Sequence, residues 1–519
     1  MQTKLMFQQV QPKRMPQTLC YQAVFLALLV ATLFSLLGCQ QTQIEFTPTA
    51  EPSLPVFNSL QGAPSVAPLT STSTTTSSNE ALSIEALPQN PFNSELKLYS
   101  LDNTLSGLNH ISLVAYSQQP LQNLDVLIQA LTEKVTWIAQ QSSLACSESL
   151  RIRASIHSLT MSIDCPDSPK LASSLLIQFW QADSFNEIDI ANVRRQLKLA
   201  KHINAYSGAE IDNVWAKKIL GEQHIYNQAL NDKSLADELD LAKLNQVRDK
   251  IISQSKWAVI TNQSLAKNSE FNAKLAQDLA ALTAKSQQVA PLPLSTFKLE
   301  VPASNSQKTL FIIDAPGSVQ TQVRIGYPLT VNQQNQQQTA DDIQDCKLLA
   351  SWLGRSFSGR LYHDLREVRG LTYGIYGRCF DNPLSRTLKF YGSTKLEHSG
   401  AFISGVLDHL ALTTESSASI DEVSALKTYL TSQKILRQAS YRAIEADRIK
   451  QLIRGNSTEQ QQAQNQRLDA LTPEQLQTIA QSVFLNTPYI VIRGDRAKIE
   501  SDIKQKLPEW TLVGVSADD

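Results

Sequence analysis

The sequence predicts an α+β protein made of two tandem, similar α/β sandwich-like units behind a disordered tether. Three observations carry that prediction. Period-two apolar runs alternate with segments whose apolar residues recur every three to four positions, the marks of strands and amphipathic helices. The order of these elements repeats, and the strands that close each round begin at Trp257 and Tyr489, 232 positions apart. Ahead of them, Ser, Thr, Pro and Gln dominate residues 41–94, with STSTTTSS at 71–78, too few apolar side chains to build a core.

In the first round, a strand at 110–116 precedes a helix at 121–140 and a strand pair at 152–156 and 159–163. Helices then run to about residue 228. A helix at 241–252, with Leu244, Val247 and Ile251 on one face, leads into the closing strand at 257–261. The second round opens with a strand at 323–327 and a helix that aligns Ile343, Cys346, Ala350 and Leu353. Strands are expected near 372–380 and 388–391. A long helix at 420–452 starts from a capping box, Ser419 with Glu422. Another begins at Thr472, Pro473 and Gln475, buries Leu476, Ile479 and Val483, and reaches the strand at 489–492. The expected domains are therefore 1–38 leader, 39–94 tether, 95–289 first unit, 290–306 linker and 307–519 second unit.

The leader carries Lys4, Lys13 and Arg14 ahead of an apolar run from Ala23 to Leu37. At about 15 residues that run suits a signal peptide better than a membrane span. It ends in Leu36, Leu37, Gly38 and Cys39, which resembles a bacterial lipobox, so Cys39 is the expected lipid-bearing residue; an uncleaved membrane anchor is the other reading. Gln40 after the cysteine resembles the pattern sent to the outer membrane. The expected location is the bacterial envelope, lipid-anchored and facing the periplasm. A tether of ~55 residues at roughly 5–6 Å times the square root of its length would let the body roam on the order of 40 Å.

With 47 basic and 48 acidic residues the net charge is -1, and no basic stripe points to nucleic acid. Beyond Cys20 and Cys39, four cysteines remain: Cys146, Cys165, Cys346 and Cys379. In an oxidising compartment Cys146 with Cys165 is the favoured pair, since both fall near the ends of the expected strand pair; four free thiols is the alternative. None has the C-x-x-C spacing of a redox or zinc site.

Residues 353–376, LGRSFSGRLYHDLREVRGLTYGIY, join a glycine-punctuated turn to a short amphipathic helix and a strand. Leu361, Leu365 and Val368 recur at helical spacing, Gly370 stands where a C-cap glycine belongs, and Tyr373 and Ile375 open a period-two pattern. Gly354 to Gly359 offers backbone N–H groups to an anion or, more simply, Ser356 or Ser358 as a helix cap. Taken without context, Arg360, Arg366, Glu367 and Arg369 would be a solvated charged face, and 333–338 a glutamine-rich loop.

The string resembles the signature in the second half of pitrilysin/insulinase-type zinc peptidases. That resemblance implies a half-clamshell of tandem units, in which an arginine and a tyrosine seven positions later assist a zinc site. Here those positions are Arg366 and Tyr373. The family's other half carries H-x-x-E-H, and this chain departs from it: no two of its seven histidines lie four apart, and 121–140 has none. The resemblance thus implies a subunit without metal of its own, working with a zinc-bearing partner chain on unfolded peptides and inactive by itself. Arg366 and Tyr373 would donate to the oxyanion that develops at the partner's site. A peptide-binding or scaffold lipoprotein with no part in proteolysis is the alternative, and a self-sufficient peptidase with unrecognised ligands is a third reading.

Overall fold

A computed structural model of the chain describes residues 83–86, 96–102, 109–141, 146–165, 169–206, 209–227, 235–286, 307–329, 336–438, 440–455 and 458–516. The leader, Cys39 and the 290–306 linker lie outside the described residues.

The first sheet uses β1 (Ser83–Ala86), β2 (Leu96–Asp102), β3 (Asn109–Tyr116), β4 (Arg151–Ser155), β5 (Ser158–Cys165) and β6 (Lys256–Asn262), in the order β1-β2-β6-β3-β5-β4. The second uses β7 (Thr309–Asp314), β8 (Gln320–Leu329), β9 (Thr372–Asn382), β10 (Ser385–Lys395), β11 (Tyr489–Gly494) and β12 (Thr511–Val515), in the order β12-β7-β11-β8-β10-β9. Removing the outermost β1 and β12 leaves one topology written twice. In both copies the first strand lies parallel to the last, β2 with β6 and β7 with β11, while the inner pairings are antiparallel. The sixth strands differ because one precedes its unit and the other follows it. β1 falls within the stretch read as tether, so the folded body starts earlier than composition indicated; Ile84 is buried there, one apolar side chain in a polar stretch.

The longer helices of the first unit are α1 (Leu124–Gln141), α2 (Pro169–Gln178), α3 (Ile190–Tyr206), α4 (Ala209–Leu220), α5 (Leu241–Gln254) and α6 (Ser269–Ser286). Those of the second are α7 (Gln336–Gly354), α8 (Ser399–Glu415), α9 (Ile420–Gln438), α10 (Tyr441–Arg454), α11 (Thr458–Asp469), α12 (Pro473–Phe484) and α13 (Arg496–Lys506). One face of each sheet is covered by helices of its own unit: α1, α2, α5 and α6 seal the first core, α7, α8, α12 and α13 the second.

The opposite faces are covered by exchange. Ile211, Val214, Trp215 and Ile219 of α4 pack on Ile313, Tyr489 and Val491 of the second sheet. Ile449 and Ile453 of α10 pack on Tyr99, Val114, Tyr116 and Ile260 of the first. Ala209 and Tyr441, which open these helices, are 232 positions apart, the same offset as the closing strands. Polar contacts pin both crossings. Asp212 accepts from Arg324 Nε at 2.6 Å and Lys389 Nζ at 2.9 Å. Under α10, buried His110 lies 2.7 Å from Asp164 Oδ1 and 3.4 Å from Glu445 Oε1.

The helix expected over 420–452 is two helices. Ser440 caps the second, accepting from the Ala443 N–H, and the break lets α10 leave its own unit for the other sheet. The structure joins Cys146 to Cys165 (Cα–Cα 5.0 Å) and Cys346 to Cys379 (Cα–Cα 5.6 Å). No helix among the described residues is long and apolar enough to cross a membrane.

Candidate functional site at the Arg366–Tyr373 corner

The corner rests on a close approach between α7 and the edge strand β9. A Cβ on Gly354 would stand 2.1 Å from the Gly377 amide nitrogen, and one on Gly377 would stand 2.3 Å from the Ala350 carbonyl oxygen. Only glycine permits that backbone-to-backbone contact, and the Cys346–Cys379 link fastens the same two elements. Gly359 is equally confined, 2.5 Å from the Leu353 carbonyl oxygen. The glycines of this loop therefore serve packing. Neither serine caps the helix that follows, whose N-cap is Gly359; Ser358 Oγ instead accepts from Arg355 Nε at 2.7 Å.

One α turn, Arg360–Tyr362, widens into a π turn, His363–Val368. The Arg369 N–H donates to the Asp364 carbonyl five residues back at 2.8 Å. Gly370, at φ +64°, and Leu371 close the turn with bonds to Arg366 O and Leu365 O, each one residue wider than an ordinary Schellman close. The widening corrects one expectation from the apolar spacing. Leu361 and Leu365 are fully buried, but Val368 is 66% exposed, rotated off the inner face by the extra residue in the turn.

Arg366 lies within this turn, its guanidinium over the Tyr362 ring, 4.8 Å from the centroid, and Nη1 donating to the Tyr362 hydroxyl. Its Nε lies 3.5 Å from Glu367 Oε1, and its side chain is 36% exposed. Tyr373, the second residue of β9, is 84% exposed, and its hydroxyl has no partner among the described residues. Beside it, Thr372 Oγ1 donates to Ser393 O at 2.6 Å, where the β9–β10 register slips between Gly392 and Thr394. That bulge re-aims the strand where Tyr373 leaves the sheet. The same rigid corner thus carries an always-charged forked donor and a phenol open to a ligand.

Glu422 braces the corner from α9. It closes the capping box with Ser419, takes a forked bond from Arg360 (Nη2–Oε2 2.8 Å) and accepts from Trp352 Nε1 at 3.3 Å. Burial works against its charge, but the Arg360 guanidinium and the Ser419 N–H outweigh it and bring its pKa down to about 2. On the other side a cleft is lined by His363, Asp364, Val368, Arg369, His409 and Leu412. Asp364 Oδ2 there meets His409 Nε2 and Arg369 Nε, each at 2.9 Å. Partial burial resists the Asp364 charge, yet those two partners hold its pKa below the usual carboxylate range. Sequence reasoning missed His409 and Asp364, which are 45 positions apart with no shared motif.

The helix expected to take the place of the family's ligand helix is α1. Its inner face is Leu124, Val126, Leu127, Ala130, Leu131, Lys134 and Ile138. Lys134, 1% exposed, lies 2.7 Å from Glu187 Oε2 and 4.3 Å from the Trp137 ring centroid. A buried cation on that face opposes a metal ion, so these residues do not fit zinc. Elsewhere among the described residues no group of three or more His, Cys, Asp and Glu is placed to hold one. His110, His157 and His224 instead make buried or half-buried hydrogen bonds to Asp164, Tyr226 and the Leu384 carbonyl.

The described body is thus a duplicated α+β fold with two donors on one corner and a buried lysine on the face where ligands were sought. Residues 270–430 match the family described as peptidase M16 inactive domain, and with that match the pitrilysin/insulinase resemblance holds. Among solved structures, the peptidase M16 inactive domain from Pseudomonas fluorescens matches with a TM-score of 0.60 at 17% identity, covering 79% of this chain and 98% of that one. A protease from Helicobacter pylori matches with a TM-score of 0.55 at 11% identity, covering 79% and 99%. A chain of complex III from Candida albicans matches with a TM-score of 0.57 at 14% identity, covering 80% and 98%. At these identities the likeness is one of fold. No curated protein sequence matches.

Proposed function

We propose that this chain is the non-catalytic, substrate-binding and transition-state-assisting subunit of a two-chain zinc metallopeptidase. It would degrade or process peptides at the bacterial envelope, anchored through lipid on Cys39 and facing the periplasm from the outer membrane. The observation that carries the reading is the accessible donor pair, Arg366 and Tyr373, on a braced corner of an inactive-type peptidase domain. In this reading the metal and the general base belong to the partner, while this chain binds peptide and aims its two donors at the oxygen that gains charge. A lipoprotein scaffold without a part in proteolysis is the second reading, favoured by the bonding of Arg366 to its own Tyr362.

Mixing the purified chain with an H-x-x-E-H-bearing envelope protein should give chelator-sensitive peptide cleavage that neither gives alone. In that mixture Tyr373→Phe should lower turnover by roughly 10 to 10³, the effect of losing one oxyanion donor. Its melting temperature should not move, because the hydroxyl has no partner among the described residues. Cleavage at the wild-type rate by Tyr373→Phe would remove Tyr373 from the mechanism. Absence of cleavage with every such partner would leave the scaffold.

A further inference from the structure

A second cluster lies away from the corner, where α7, α9, α10 and the β9–β10 turn meet. Its floor is fixed. Arg454 donates to the Asp381 carbonyl oxygen at 2.7 Å, and Arg386, 1% exposed, stands 3.5 Å from Asp381 Oδ1 and 3.6 Å from Asp342 Oδ2. Near that floor are three cations on exposed residues, Lys347 on α7, Arg437 on α9 and Lys450 on α10. Lys450 has a loose neighbour, Asp447 at 3.7 Å, whereas Lys347 and Arg437 have no ion-pair partner among the described residues. Arg386, Arg454 and Lys450 thus each have a carboxylate beside them, while Lys347 and Arg437 bring two further positive charges with none within 4 Å among the described residues.

Holding like charges together costs free energy that a counter-anion would relieve. Lys347 registers that cost. Although solvent reaches its side chain, dense surrounding protein strips hydration from the ammonium, and Arg454, Arg437 and Lys450 repel it. Its pKa falls to about 8 despite the attraction of Asp381. None of these five residues belongs to the corner.

We infer that this junction is a binding site for the carboxylates of an acidic peptide segment, with Lys347, Arg437 and Lys450 as its contacts and Arg386 and Arg454 as its fixed positive floor. Three long side chains reaching from three separate helices suit several carboxylates spaced along an extended chain. A single compact ion is better held by convergent backbone N–H groups. The inference rests on the peptide-binding part of the proposed function, but it needs neither partner nor metal.

The test uses the full chain alone with a short, fluorescently labelled oligoglutamate peptide, an oligolysine peptide as control and inorganic phosphate as competitor. The oligoglutamate should bind and weaken with salt. An exposed ion pair supplies up to about fivefold in affinity, so Lys347→Gln with Arg437→Gln should cost about tenfold, and Lys347→Arg should retain binding. In parallel, acetylation of Lys347 at about pH 8, read by mass spectrometry, should be slowed by oligoglutamate and not by oligolysine. Equal affinity in the double glutamine variant, or acetylation of Lys347 unaffected by the peptide, would overturn the inference. Protection by phosphate with none by the peptide would make this a small-ion site and overturn it as well. Failure here leaves cleavage by the mixed subunits untouched, and failure of that cleavage leaves this binding untouched.

Discussion

Glu422 shows how one side chain turns a local signal into a tertiary brace. The capping box with Ser419 was legible, because both partners lie within four positions and each satisfies an otherwise orphaned N–H. Its other half was not legible: Arg360 is 62 positions away, and its fork reaches Glu422 only once α9 lies beside the corner. Arg366 and Tyr373 were legible for the opposite reason, as a short string with fixed spacing. The pKa of Glu422 falls from 4.5 to about 2, so the stability it adds is fully present above pH 4.5 and is lost as pH drops through about 2. Glu422→Gln should lower the melting temperature at neutral pH and flatten its dependence on pH between those limits. A thermal melt series across that range, wild type against variant, checks it; parallel curves would show that Glu422 is not what acid disrupts.

At the scale of elements, period and punctuation gave the right kinds of segment but not their joints. The apolar periodicity found α7 and β9 because each buries one face, yet two rules of thumb failed where the backbone departs from regular geometry. Helical spacing placed Val368 inward, and a π turn takes it outward. An unbroken amphipathic pattern merged α9 with α10, because periodicity records that a helix has an apolar face and not which sheet that face meets. Gly377 is the residue on which the corner's geometry depends most directly. A methyl there would press on the Ala350 carbonyl and on the Phe390 ring, 3.0 Å away, and no flexible side chain can yield at the carbonyl. Gly377→Ala should therefore destabilise the chain by about 1–3 kcal/mol, the usual cost of overpacking, measured by chemical denaturation. If the two donors act from this corner, the same variant should reduce activity in the mixed-subunit assay by more than its loss of folded protein explains.

For the whole molecule, the duplication was legible in the 232-residue offset, but its main structural consequence was not. Each sheet is an incomplete object. Its inner face is sealed by its own helices, while its outer face depends on a helix belonging to the other unit, α4 on the second sheet and α10 on the first. Each fully buried large apolar side chain contributes about 1.5–3 kcal/mol, and α4 brings Ile211, Val214, Trp215 and Ile219 to its crossing. Losing that cover would cost on the order of 10 kcal/mol, comparable with the entire net stability of a typical domain. Asp212 would also leave Arg324 and Lys389 unpaired on the exposed sheet. Two tandem copies of one topology are therefore not two independent domains here. Residues 79–289 and 290–519, produced separately, should each be insoluble or bind a dye for exposed apolar surface, and the two produced together should recover the native circular dichroism and a single cooperative melt. A soluble first half that melts cooperatively by itself would mean that the exchanged helices decorate the fold without completing it.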